Sequence, residues 1–89
     1  VYIFHVKLRR KLVFMVIQAN GQSYLTTSHA EAKMILLNLS AEDIAYVIEN
    51  SEFYFTADGD DFYRLELGGR EIGVVIIDDE RIRTVFVIE

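Results

Sequence analysis

The chain of 89 residues and 10.3 kDa has room for one small domain, burying about 60–65% of its unfolded surface. Hydrophobic residues at 52% and charged residues at 26% exclude intrinsic disorder, and the lack of cysteine excludes disulfide scaffolds, thiolate zinc sites and thiol nucleophiles. The net charge of −5 hides an asymmetry: residues 1–30 carry Lys7, Arg9, Arg10 and Lys11 with no acid, whereas residues 31–89 carry five bases and all fourteen acids.

Residues 1–8 and 12–18 are rich in Val, Ile, Phe and Tyr and flank the charged Arg9-Arg10-Lys11, a pattern for two strands joined by a short turn. The unbroken apolar run Leu12 to Ile17 marks the second strand as covered on both faces, central in a sheet or in an interface. That run is far shorter than the ~20 residues a spanning helix needs, so a soluble, cytoplasmic protein with no membrane partner is expected. The chain opens on Val1 rather than Met, the pattern of a start trimmed by a few residues. Asn20-Gly21 supplies a turn that tolerates positive φ, and Ser23 to Thr26 continues the hairpin.

Ser28-His29-Ala30-Glu31 reads as a capping box, with Ser28 as the cap and Glu31 reaching back, and so predicts a helix from there to about Asn38. Ala30, Met34 and Leu37 form its apolar stripe. A second cap at Ser40 opens a helix to about Asn50, with acids in its first turn and Ile44, Val47 and Ile48 facing inward. The period then changes to alternation, predicting strands near 52–57, 62–67, 70–77 and 81–88, punctuated by Asp58-Gly59, Gly68-Gly69 and Asp78-Asp79. Alternation puts Tyr63, Leu65 and Leu67 on one face of their strand, and Ile82, Thr84, Phe86 and Ile88 on one face of the last. The expected architecture is α+β in a single domain, 1–89: a β-hairpin extension at 1–27, a helical layer at 28–50, and a four-stranded antiparallel β-meander at 51–89.

Among residues able to carry chemistry, His29 sits in the first turn of a helix, where the positive end of the dipole favours a neutral ring able to accept a proton. Lys33, one turn on, offers a point charge for phosphate. Arg64, Arg70, Arg81 and Arg83 can clamp phosphate from the helix-free side, or pair across strands with Glu66, Glu71 or Glu80. The dense run Lys7, Arg9, Arg10 and Lys11 is either a nucleic-acid contact or a solvated hairpin tip. Asp58, Asp60 and Asp61 lack the later ligands of a calcium loop, and no metal or cofactor motif is present.

The stretch from Ser28 onward resembles a family of small prokaryotic domains in the barnase/EndoU/colicin/RelE superfamily of RNase-like toxins. Its pattern, His-Ala-x-x-Arg-Met-x-x-Arg-Gly-Ile, then Ser-x-x-Asp-Ile and a closing Thr-Val-Tyr, is met by His29, Ala30, Lys33, Met34, Leu39, Ser40, Asp43, Ile44 and Thr84-Val85-Phe86. Lys33 stands in place of an arginine and Leu37 in place of a second one. The resemblance implies a RelE-like fold and metal-independent RNA cleavage without a cofactor. In that reading His29 is the base, Lys33 and Arg64 hold phosphate, and Thr84 offers a hydroxyl from the last strand, facing the first helix. The same resemblance fits a degenerate relative that binds without cutting, and two other readings stay open. One is an acidic binding protein, an immunity, antitoxin or anti-defence factor, that covers a basic partner surface. The other is a homodimer formed through the 1–18 hairpin.

Overall fold

A computed structural model describes residues 3–7, 13–51, 53–57 and 60–88, the first strand, residues 13–14 and residues 53–57 by backbone alone. Among the described residues seven strands and two helices follow in the order β1 (Ile3–Lys7), β2 (Val13–Ala19), β3 (Gln22–Thr26), α1 (Ser28–Leu37), α2 (Ala41–Asn50), β4 (Phe53–Ala57), β5 (Asp60–Leu67), β6 (Arg70–Ile77) and β7 (Arg81–Ile88). The class is α+β. The strands form one mixed sheet in the order β1-β2-β3-β7-β6-β5-β4. Antiparallel pairs join β1 to β2, β2 to β3, and β4 through β7 in chain order. Asn20-Gly21 and Gly68-Gly69 close two of these hairpins with positive φ at both turn residues, the geometry that matches strand twist.

What the alternation pattern misses is the join between the two halves of the sheet. β3 continues the first hairpin as expected, and it also pairs in parallel with β7 over Leu25↔Arg81 and Thr26↔Ile82. The backbone amides of Leu25 and Thr27 donate to the carbonyls of Glu80 and Ile82. β3 then ends, and the chain turns at once into α1. Met15 of β2 would face the next β3 residue; its amide is taken instead by Thr26 Oγ1 at 3.0 Å and Glu31 Oε2 at 2.8 Å. The Thr26 hydroxyl, 1% exposed, donates to the same carboxylate at 2.5 Å. Glu31 thus replaces a missing rung of sheet, which corrects the expected capping box. The cap of α1 is Thr27, not Ser28: Thr27 holds extended φ and ψ and its hydroxyl accepts from the Ala30 amide.

The cap of α2 is Ser40, with Asp43 returning the bond, so that box forms as read. Asn38 ends α1 in the left-handed region, and the Arg70 guanidinium donates to the Leu37 carbonyl at 2.8 Å. Both helices cover one face of the sheet. Ala30 and Met34 of α1 and Ile44, Val47 and Ile48 of α2 pack on Ile17, Ile72, Val74, Ile76, Ile82 and Val85 in one cluster. A register shift between Val75 and Ile76 pairs Ile76 with Ile82 but Val75 with Thr84, leaving Arg83 as the extra residue of a bulge. The bulge resets the alternation of β7. Ile82 faces the core with Val85 and Val87, while Phe86 meets Phe62 and Gly73 on the other side, so the expected common face of Ile82, Thr84 and Phe86 does not form. Among the described residues no helix is long and apolar enough to cross a membrane.

Candidate functional site

β7 runs on beyond the end of β3, and the N-terminus of α1 lies against it at that point. Thr27 fixes the approach, its hydroxyl 3.0 Å from the carbonyls of both Ile82 and Arg83 at the bulge. Two residues on, the exposed ring of His29 places Nε2 3.1 Å from Thr84 Oγ1. The bulge makes this meeting possible, because it turns Thr84 away from the core that the neighbouring Ile82 and Val85 occupy. His29 and Thr84 line an open cleft of about 700 Å³ with Thr27, Asp60, Val75 and Arg83. Its polar groups are two hydroxyls, an imidazole and one ion pair, Arg83 Nη1 to Asp60 Oδ2 at 3.2 Å. The Arg83 side chain is 62% exposed, so that pair is weak and open to exchange for another anion.

The structure brings together some of the residues singled out in the sequence and separates others. His29 and Thr84 touch. Lys33 sits one turn along α1, half-buried and outside the residues lining the cleft. Arg64 shares the helix-free face with Thr84 but pairs with Gly73, which in turn pairs with Phe86. Two strands across and two residues along put its Cα roughly 12 Å from that of Thr84. Its Nε is held by Glu71 at 2.8 Å. Arg70 caps α1 and Arg81 lies beside a smaller hollow with Leu25, Thr26, Thr27 and Ser28. Of the four arginines, Arg83 alone lines the cleft.

Lys7 ends β1 opposite Val13, described by backbone only, while Arg9, Arg10 and Lys11 lie outside the described residues. Asp58 does as well, whereas Asp60 is engaged by Arg83 and Asp61 is buried. No three His, Asp or Glu side chains come together as a metal-binding group among the described residues. Thr27 and the Arg83–Asp60 pair are parts of the cleft that the sequence did not single out as a unit. Thr26-Thr27-Ser28 offers three successive hydroxyls, and only the strand end decides which one caps. No family model, no curated protein and no solved structure matches the chain.

Proposed function

We propose that the chain is a RelE-like domain whose cleft binds an RNA phosphodiester and cleaves it without a metal. The observation that carries this reading is the 3.1 Å contact between His29 Nε2 and Thr84 Oγ1 beside the exposed Arg83 guanidinium. These are a proton acceptor, a hydroxyl donor and a cation, the minimal set for attack by a ribose 2′-hydroxyl. With Nε2 unprotonated, Thr84 donates to it before RNA binds. The 2′-hydroxyl takes that place on binding and gives its proton to Nε2 as its oxygen attacks phosphorus. Thr84, released, donates to a non-bridging oxygen. Arg83 leaves Asp60 and meets the charge gathering on the phosphorane. The 5′-oxygen departs and takes a proton from water, the hydroxide so formed takes up the proton held on Nε2, and a 2′,3′-cyclic phosphate and a 5′-hydroxyl remain. Arg83 takes the phosphate role that the family resemblance assigns to Lys33 and Arg64. The test is induced expression of wild type and His29→Ala in bacteria, following growth and total RNA together. Growth arrest with RNA fragments in the wild type alone is the expected result; intact RNA in both refutes cleavage.

A second reading is favoured by a different surface. On the helical layer Ile35 is 82% exposed and Leu36 74% in α1, and Tyr46 is 50% exposed in α2, where the exposed Glu42 and Glu49 lie one turn to either side of it. Exposed apolar groups on a layer that also carries acids suit a basic protein partner. If that reading holds, Leu36→Glu abolishes capture of the partner while RNA stays whole in every variant.

A further inference from the structure

On the helix-free face, Phe62 of β5 and Phe86 of β7 meet above Gly73 of β6, the strand between them. Their ring centroids are 5.7 Å apart and their planes are 22° from parallel. The glycine is there for the rings and not for its backbone, since Gly73 is not among the positive-φ residues. A Cβ on Gly73 would lie 2.8 Å from Phe86 Cζ and 3.1 Å from Phe62 Cε1. Both rings therefore reach over the strand, close against a backbone with no side chain of its own, and both stay part-exposed while Gly73 beneath them is buried. Phe86 follows Thr84 by two residues on the same face, roughly 7 Å along β7. Val75, paired with both Thr84 and Phe62, joins the cleft floor to the rings.

We propose that Phe86, braced by Phe62 over Gly73, is a stacking platform for an unpaired nucleobase of the RNA whose phosphate enters the His29–Thr84 cleft. This rests on the RNA reading of that cleft and narrows its substrate to single-stranded RNA. The reason is geometric and electrostatic. A base in a duplex has no free face for a ring fixed on a sheet, whereas a splayed base does. Arg83, exposed and held only by its weak pair with Asp60, puts a cation at one end of the rings, matched to a phosphate next to a stacked nucleotide. Stacking on a ring is by itself tolerant of sequence, because every base has a face to offer.

The test uses the whole chain and two uncleavable 2′-O-methyl hexamers, oligoadenylate and a strand of the same length with abasic sugars, read by fluorescence anisotropy. Wild type is expected to bind the base-bearing strand at least about tenfold more tightly. Phe86→Leu keeps apolar bulk and loses the ring, and Gly73→Ala forces the rings apart; each is expected to bring the ratio within twofold while affinity for the abasic strand stays. Unchanged melting curves show that both variants fold, and if either does not, the wild-type ratio decides alone. A wild-type ratio near one, equal ratios in wild type and folded variants, or no binding of either strand overturns the platform. Base-dependent binding by a wild type that leaves ordinary RNA intact keeps the platform and removes the cleavage reading. Cleavage that proceeds equally well beside abasic sugars does the reverse.

Discussion

Replacing Glu31 by Ala removes the group that closes the sheet where β3 ends. The carboxylate accepts from the Met15 amide at 2.8 Å and from the Thr26 hydroxyl at 2.5 Å. A hydrogen bond to a charged partner contributes about 1.5–3 kcal/mol. Met15 keeps Thr26 Oγ1 at 3.0 Å as a second acceptor, and Glu31 is only half-buried, so water recovers part of the loss. The expected cost of Glu31→Ala is about 2 kcal/mol, which in a domain of this size lowers Tm by roughly 8–16 °C. Glu31→Gln keeps an acceptor at the same reach and should cost about half as much. Urea unfolding followed by circular dichroism measures both. Thr26→Val breaks the same cluster from the strand side, and the double variant should show a coupling of about 1 kcal/mol. A loss below about 0.5 kcal/mol for Glu31→Ala, with additive effects in the cycle, would refute the idea that this carboxylate replaces a rung.

Three further perturbations address the core, the cleft and the basic run. Ile82→Ala empties a position that is 0% exposed beside the bulge and should cost about 2–5 kcal/mol in the same unfolding assay. Asp60→Asn releases Arg83 from a part-exposed pair, so single-stranded RNA should bind more tightly with a steeper salt dependence, while stability changes by less than about 1 kcal/mol. A titration at several salt concentrations reads this, and weaker binding would count against Arg83 as a phosphate contact. Neutralising Lys7, Arg9, Arg10 and Lys11 together should flatten the slope of log affinity against log salt by about 0.7 for each phosphate lost. An unchanged slope assigns those four to a solvated tip.

The parts of this fold that could be read from sequence are those set by near neighbours. Ser40 and Asp43 make a cap whose partners are three residues apart, and Asn20-Gly21 and Gly68-Gly69 carry their turn geometry in the residues themselves. The α1 cap was misplaced by one residue because Thr26, Thr27 and Ser28 are chemically equivalent candidates. Only the long-range bond from the Thr27 amide to Ile82 fixes where the strand stops. The parallel β3–β7 join rests on two register pairs between residues more than 50 apart, with no local trace. The bulge at Arg83 is equally silent, since nothing in Ile82-Arg83-Thr84 departs from simple alternation, yet it decides which way Thr84 faces. The helix start and the closing strand are each recognisable in the sequence, but simple alternation sets Thr84 beside Ile82, and only the family resemblance points Thr84 toward the first helix, because the turn that brings it to His29 belongs to the bulge. Cross-strand pairing of Arg64 with an acid is legible from the alternating charges of the meander, whereas the choice of Glu71 among the three candidates waits on the β5–β6 register.

The measurement that bears most directly on the proposed chemistry is cleavage of an end-labelled single-stranded RNA by the purified protein in a chelating buffer. Wild type, His29→Ala and a substrate with a single 2′-deoxyribose at the cut position are compared, and the product ends are identified by mass. The account predicts 2′,3′-cyclic phosphate and 5′-hydroxyl ends, a loss of about 10²–10⁴ in rate for His29→Ala, and no cut at the deoxy position. Cleavage that survives His29→Ala, or that crosses the deoxy position, would contradict it, as would RNA that stays whole with the wild type.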